Sequence, residues 1–294
     1  MLELKPSTFE EFERETSRGN VVPVTRTVLA DLQTPLGAFL RIGGETPYAF
    51  LLESIEGGER LARYSFVGAD PWMIARGRGN TTTIQKEARQ ETVESNAVDF
   101  LRETFREKKL ARRPGLARLC GGAVGYLGYD AASWFEPVLG RNGHQSDSDD
   151  AAWMFFRTVL AFDRVQQQIE ITSVVFVGEA SGDREDLRGL YDKAVGETER
   201  IEELLSEPGT VPSSPSTIGQ TTVHFQTNWP RPQFEAAVEK VKEHIAAGDC
   251  YQAVIAQKFT KPTAADPLAI YRALRATNPS PYMFLLRMGG ETII

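Results

Sequence analysis

The sequence is poor in cysteine and histidine and has no long apolar run. Of its 294 residues, two are cysteine and three are histidine. Two cysteines cannot form a disulfide framework in a chain of this size, so we expect the reducing cytoplasm as its compartment. Because the chain lacks a stretch of about 18 apolar residues and an apolar N-terminal segment, we expect neither a transmembrane helix nor a signal peptide.

Short motifs that carry known chemistry are also missing. There is no G-x-x-x-x-G-K-[ST], C-x-x-C, H-x-x-x-H or G-x-S-x-G, and His144, His224 and His244 are isolated from one another. The glycine-rich segment Gly121–Asp130 does not follow the dinucleotide-binding pattern, so it predicts tight turns and close backbone packing in a sheet. Motifs alone therefore indicate no reaction.

The charge balance is acidic. With 40 Asp and Glu against 33 Lys and Arg, the net charge is −7, which argues against nucleic acid as the main partner. The best local basic run, Lys108–Arg113 (KKLARR), is interpreted as a solvated helix end. Hydrophobic residues make up 41% of the chain, so it can bury a sizeable core.

Hydrophobic periodicity predicts long antiparallel strands with interspersed helices, which indicates an α+β fold. The apolar runs Ala151–Asp163 and Ile169–Val177 predict a long antiparallel hairpin, and Tyr251–Phe259 alternates like a strand. Apolar residues at helical spacing, with Gly248 as a C-cap, predict a helix before that glycine. Further helices are predicted over 96–107, 185–205 and 266–276, and a buried strand over Tyr48–Glu53.

A segment rich in Pro, Ser, Thr and Gly, Ser206–Gln220, has the composition of a linker. We therefore predict an N-terminal domain over 1–205, a linker over 206–222 and the first part of a second domain over 223–294. The sequence stops on a short apolar run after Gly289-Gly290. Because this resembles an unfinished hairpin, we expect the chain to be a piece of a longer protein.

Two segments carry the parts of an amino-acid pocket. Glu53 and Ser54 leave an apolar strand, and Asn278–Met283 (NPSPYM) places two prolines beside a tyrosine and a methionine. A carboxylate for an ammonium group, a hydroxyl and an apolar wall are what such a ligand requires. The alternative interpretation is a turn packed against a core strand.

Several segments resemble component I, the large subunit, of anthranilate synthase. They are FLLESIEGGERLARYSFVGADPWMIAR (50–76), GGAVGYLGYD (121–130), HIAAGDCYQAVIAQKF (244–259) and TNPSPYMFLL (277–286). The resemblance extends from about residue 20 to the end, and it is specific in combination. It implies a chorismate-utilising enzyme fold of layered antiparallel sheets with flanking helices, in which residues 223–294 begin the chorismate-binding domain.

The resemblance also implies an activity. The family converts chorismate and ammonia to anthranilate and pyruvate with Mg²⁺, and a glutamine amidotransferase subunit (component II) supplies the ammonia. Tryptophan, the end product, inhibits at a separate site. The Mg²⁺ ligands and the catalytic histidine are expected beyond residue 294, so this chain alone is expected to be inactive.

The resemblance assigns roles to particular positions. Gln252 is the candidate active-site residue; related enzymes that add water to chorismate carry Lys there, and the alternative for Gln252 is a solvent-facing strand residue. Tryptophan is expected to bridge the two predicted domains. Its candidate binding residues are Glu53, Ser54, Arg63, Pro281, Tyr282 and Met283.

Two other functions remain open. Aminodeoxychorismate synthase component I shares the substrate, the ammonia and the layout, although LLES together with NPSPYM favours the anthranilate enzyme. A catalytically incompetent tryptophan-binding module is the alternative from another class of protein.

Overall fold

The computed structural model describes residues 3–44, 46–54, 63–139, 148–207 and 224–294. These residues form the predicted α+β fold of antiparallel sheets with flanking helices. The α-helices are α1 (Phe9–Glu15), α2 (Pro35–Gly43), α3 (Ala97–Arg106), α4 (Arg184–Ser206), α5 (Arg231–Ala247) and α6 (Pro267–Thr277). Short 3-10 helices cover Tyr129–Trp134, Pro137–Leu139 and Val177–Glu179.

The strands follow one another along the chain in three groups. The first group is β1 (Glu3–Lys5), β2 (Val21–Leu29), β3 (Tyr48–Glu53), β4 (Tyr64–Ala69) and β5 (Met73–Arg78). The second is β6 (Thr81–Lys86), β7 (Arg89–Val93), β8 (Gly122–Leu127), β9 (Ala151–Phe156) and β10 (Thr158–Asp163). The third is β11 (Gln168–Phe176), β12 (Gln226–Thr227), β13 (Phe259–Thr260), β14 (Met283–Met288) and β15 (Thr292–Ile293).

Two sheets dominate the fold. The larger has the order β1-β2-β11-β10-β4-β3-β14-β15, and the second has the order β7-β6-β5-β9-β8. All of their strand pairings are antiparallel. Helix α4 packs on β2 and β11, α2 on β3 and β4, and α3 on β5 and β6. This layering gives each amphipathic helix a sheet on which to bury its apolar face.

Residues of both sheets share one apolar cluster. Phe50 and Leu286 from the larger sheet pack with Met154 and Phe156 from the second. The rings of Phe50 and Phe156 meet edge to face, with centroids 4.8 Å apart. Gly68 is needed beside them, because a Cβ there would lie 2.3 Å from the Phe50 ring. The core therefore fixes the position of β3, the strand that leads to Glu53.

The predicted hairpin over 151–177 is only partly correct. β10 and β11 do pair, but the apolar run before them is two strands in different sheets, separated at Arg157. The Arg157 guanidinium pairs with Glu179 and lies over the Trp72 ring. A strand that is apolar on both faces has the same sequence pattern in either sheet. The sequence therefore does not show that the strands before and after Arg157 pair in different sheets.

The strand predicted over Tyr251–Phe259 is wrong for most of its length. Only Phe259–Thr260 pairs, with Gln226–Thr227, and the residues before it are irregular. Tyr251 and Val254 are exposed. Their alternation lacks a buried face on which a strand would gain stability.

The chain divides into two compact units. The first contains Met1–Val211 and Tyr271–Ile294, and the second contains Pro212–Ile270. The predicted linker falls mostly on 208–222, outside the described residues, as does His144. The division differs from the predicted domains at 271–294, because β14 pairs with β3 along its whole length. No described helix has the length and apolar character that crossing a membrane requires.

Candidate functional site

One end of the larger sheet brings together the two segments that the sequence singled out. β3 ends at Glu53, β14 begins at Met283, and these two residues are paired across the antiparallel ladder. The LLES strand end and the NPSPYM turn are therefore neighbours. Both lie in the first compact unit, so the expected bridging of two domains does not match this division of the chain.

A direct hydrogen bond joins the two segments. The Ser54 hydroxyl donates to the Pro281 carbonyl oxygen at 2.6 Å. Ser54 and Met283 are buried, whereas Tyr282 is 77% exposed. Because proline has no N–H, the 281 position contributes a carbonyl and a fixed backbone angle but no donor. The turn thus presents an exposed aromatic ring beside a buried hydroxyl and thioether.

The Glu53 carboxylate faces the interior of the first unit and is satisfied there. Its side chain has no exposed surface. The Tyr271 hydroxyl donates to Oε2 at 2.7 Å, and the Arg275 Nε and Nη2 atoms lie 3.1 and 3.3 Å from its two oxygens. The Arg164 guanidinium is 3.9 Å from Oε1. Burial, followed by the hydrogen bond to Glu53, raises the pKa of Tyr271 far above its usual value, so its hydroxyl remains a donor.

Neighbouring strand ends extend this polar cluster. Arg63, just before β4, places Nε 3.0 Å from the buried Asp163 carboxylate at the end of β10. Burial opposes ionisation of Asp163, but donation by Arg63 and by two backbone N–H groups outweighs it and lowers the pKa. The Arg164 backbone N–H donates to the Arg63 carbonyl at 3.0 Å. Among the described residues, Arg63 is thus connected to Glu53 through Arg164, and its guanidinium is paired with Asp163.

Sequence reasoning missed three members of the cluster. Tyr271 and Arg275 are four residues apart on α6, so they share a helix face, and Arg164 follows β10 directly. The signal in the sequence was Glu53 itself, because a carboxylate on a buried strand requires a cationic partner. The sequence does not indicate which of the 33 basic residues is that partner.

Gln252 lies in the second unit. Its backbone is irregular and its side chain is exposed. The structure thus gives it solvent access but no strand. Its role as an active-site residue stays a prediction.

The described residues offer no metal centre. No three His, Cys, Asp or Glu side chains among them lie close enough to hold a metal ion. The only described ring nitrogen with an acid partner is His244 Nδ1, 2.8 Å from Asp249 on the surface of the second unit. The magnesium ligands expected beyond residue 294 stay a prediction.

Comparison with known proteins agrees with the predicted resemblance. Residues 48–294 match the family described as chorismate binding enzyme, a match that starts within the predicted N-terminal domain. A solved structure of anthranilate synthase component I from Streptococcus pneumoniae TIGR4 shares the fold. Its TM-score is 0.61 at 22% identity, over 91% of this chain and 56% of that one.

Curated relatives carry the same name. Anthranilate synthase component 1 of Synechocystis sp. is 32% identical over 97% of this chain, and that of Acetivibrio thermocellus is 33% identical over 98%. The chain spans 57% and 58% of the lengths of these two relatives. The resemblance and the fold predicted from the sequence are confirmed, and the chain belongs to the chorismate-binding enzyme family.

Proposed function

We propose that this chain is part of the large subunit of an anthranilate synthase, a cytoplasmic enzyme of tryptophan biosynthesis. The observation that carries the proposal is its alignment with relatives of that name over 97–98% of its length. Because the chain spans little more than half of those relatives, the activity is proposed for a protein of their full length that contains it. The 294-residue chain alone is expected not to turn over chorismate.

The proposed reaction converts chorismate and ammonia to anthranilate and pyruvate. Gln252 is the proposed active-site residue of this chain. A neutral amide cannot deprotonate water, whereas ammonia is already a competent nucleophile, so Gln at this position suits an enzyme that adds ammonia. The exposed side chain is compatible with access to a substrate. Mg²⁺ is the proposed cofactor, with ligands expected beyond residue 294.

A separate glutamine amidotransferase is the proposed partner. Glutamine hydrolysis by an amidotransferase needs a reactive thiolate, and thiolates form at exposed, electropositive positions. Cys120 is buried, and burial raises the pKa of its thiol. Cys250 does not lie on a turn between a strand and a helix, which is where a nucleophile elbow holds its reactive side chain. Neither cysteine suits the role. We therefore expect activity with ammonia but not with glutamine when the large subunit is alone.

Tryptophan is the proposed inhibitor, bound at the end of β3 beside the NPSPYM turn. Ser54, Pro281 and Met283 support this proposal, because a hydroxyl, a backbone carbonyl and an apolar wall meet there. Tyr282 offers a further exposed ring. Glu53 can bind the ammonium group of tryptophan only if that group replaces one of its present donors, Tyr271 or Arg275. Arg63 contributes through Asp163 and Arg164, its partners in the structure.

Binding of L-tryptophan to this chain tests the effector site. We expect a binding isotherm by titration calorimetry, and a loss of at least about tenfold in affinity for Ser54→Ala, the effect of one hydrogen bond to a charged ligand. Met283→Thr is expected to act in the same direction. Ser206→Ala, at the end of α4, is the control. Unchanged affinity in both site variants places the pocket elsewhere.

Product analysis tests the activity. A full-length protein given chorismate, ammonium and Mg²⁺ is expected to release anthranilate and pyruvate, and Gln252→Lys is expected to slow this reaction. Aminodeoxychorismate without pyruvate release would instead identify aminodeoxychorismate synthase component I. An unchanged ammonia-dependent rate in Gln252→Lys removes that residue from the active site, and glutamine-dependent turnover without a partner contradicts the two-subunit proposal.

A further inference from the structure

A cavity of about 160 Å³ opens in the first unit, at the end of α3. It lies where Lys108 and the last turn of that helix cover the ends of β9 and β11. None of the residues at the Glu53–Ser54 strand end lines it, so it is a separate site. The residues that matter for its chemistry are Trp72, Thr104, Phe105, Lys108, Arg118 and Phe176.

Aromatic rings form much of the wall. Trp72 and Phe176 meet at an angle, with centroids 5.7 Å apart, and Phe105 stacks against Phe155 at 6.0 Å. Phe105 is still 41% exposed, so its ring is available at the opening. An apolar cavity of about 150 Å³ admits one benzene ring. The volume therefore matches a single-ring ligand.

The charge at the opening has one sign. Lys108 and Arg118 line the cavity, both are exposed, and no Asp or Glu lies among the described residues that line it. The basic run predicted to be a solvated helix end begins just after α3, and Lys108 is exposed. Its ammonium group lies 4.8 Å from the centroid of the Phe176 ring. The cavity mouth thus carries two cations above an apolar interior.

An aromatic enclosure could also suit an organic cation, since ring faces attract cations. Here the Phe176 face is already approached by the chain's own charges. Besides Lys108, the Arg157 guanidinium lies 4.7 Å from the Phe176 centroid and 5.1 Å from that of Trp72. Arg157 is balanced by Glu179, whereas no acid pairs with Lys108 or Arg118 among the ion pairs of the described residues. A second cation would be repelled and an anion attracted.

We propose that this cavity binds a single-ring aromatic carboxylate. The ring enters among Trp72, Phe105 and Phe176, and the carboxylate stays at the mouth, where Lys108 and Arg118 meet it. This site goes beyond the proposed function and does not depend on it, because its residues and its ligand class follow from the cavity alone.

Fluorine NMR of 4-fluorobenzoate with the 294-residue chain tests the proposal. We expect the fluorine line to broaden until the effect saturates with protein concentration. Tetramethylammonium is expected not to displace the bound 4-fluorobenzoate. The neutral analogue 4-fluorobenzyl alcohol is expected to bind at least about fivefold more weakly, because it lacks the charge that two partly exposed cations attract.

Two variants locate the binding. Thr104→Phe places a ring in the cavity from a half-buried helix position and is expected to abolish binding. The double variant Lys108→Gln/Arg118→Gln removes both charges at exposed positions, so folding is preserved, and is expected to weaken binding about fivefold. Lys109→Gln is the matched control, since this neighbouring lysine does not line the cavity.

Four results would overturn the proposal. The first three are equal affinity for the carboxylate and the alcohol, displacement by tetramethylammonium, and parental affinity in the double charge variant. Retained binding in a Thr104→Phe protein with a native circular dichroism spectrum would do the same, because the ligand would then be bound elsewhere.

Discussion

Glu53 shows how a single buried charge depends on its donors. Its carboxylate accepts hydrogen bonds from Tyr271 and Arg275 and has no exposed surface. In Tyr271→Phe, one oxygen loses a donor that water cannot replace. We expect the free energy of unfolding to fall by about 1.5–3 kcal/mol, measured by urea denaturation. Tyr282→Phe, on an exposed ring, is the control, and equal unfolding midpoints for the two variants would contradict this account.

Glu170 makes stability depend on pH. Burial raises the pKa of its carboxyl, although the Ala117 N–H donates to it. The folded state therefore holds this proton more tightly than the unfolded chain. The resulting stabilisation is present below the ordinary Glu pKa of about 4.3 and is lost as the pH rises through the raised folded pKa.

The variant Glu170→Gln tests this sign. It keeps an acceptor oxygen for the Ala117 N–H and removes the charge. We expect it to be more stable than the parent at pH 7 and to lose that advantage towards pH 4, measured by urea midpoints at both values. Glu136→Gln, at an exposed position, should give no such change. Parallel pH profiles for parent and Glu170→Gln would refute the assignment.

At the scale of elements, two glycines are expected to respond oppositely to alanine. In β8, a Cβ on Gly125 would lie 1.9 Å from the Ala152 carbonyl oxygen, so the strand pair must separate. We expect Gly125→Ala to cost more than about 2 kcal/mol. In α4, Gly196 has no atom within 4 Å of that point, and Gly196→Ala should stabilise by about 0.5–1 kcal/mol. Thermal unfolding is expected to show a lower Tm for Gly125→Ala and a higher Tm for Gly196→Ala than for the parent.

At the scale of the whole molecule, the last strands are required by the first unit. β14 covers one side of β3, whose residues are mostly buried, and α6 supplies the donors to Glu53. A chain ending at Glu207 would expose β3 as an apolar edge, which is a template for aggregation. We expect it to form soluble aggregates or to unfold below the parent's Tm, as measured by size-exclusion chromatography and calorimetry. A monomer with the parental Tm would show that the N-terminal region folds independently.

The family and the helices with clear caps could be predicted from the sequence. The helix predicted over 185–205 is observed at Arg184–Ser206, and Gly248 ends α5 with a φ of 84°. Caps and helical periodicity act within a few residues, so they can be read locally. The close packing expected at Gly121–Asp130 is likewise found at Gly125, where the strand allows no side chain. The two segments that meet at the end of β3, LLES and NPSPYM, were also singled out from the sequence, and their binding of tryptophan stays a prediction.

The contacts between distant elements could not be predicted from the sequence. Tyr271 and Glu53 are 218 residues apart in sequence, yet their side chains share a hydrogen bond. The change of sheet at Arg157 is invisible in an apolar run, because alternating side chains look alike whichever strand lies beside them. Likewise, the composition of the linker led to the prediction that residues 271–294 belong with residues 223–270. The pairing of β14 with β3 instead joins residues 271–294 to the first unit. Burial and hydrogen bonding between distant segments determine which strands pair, so a local sequence pattern does not indicate the partner of a strand.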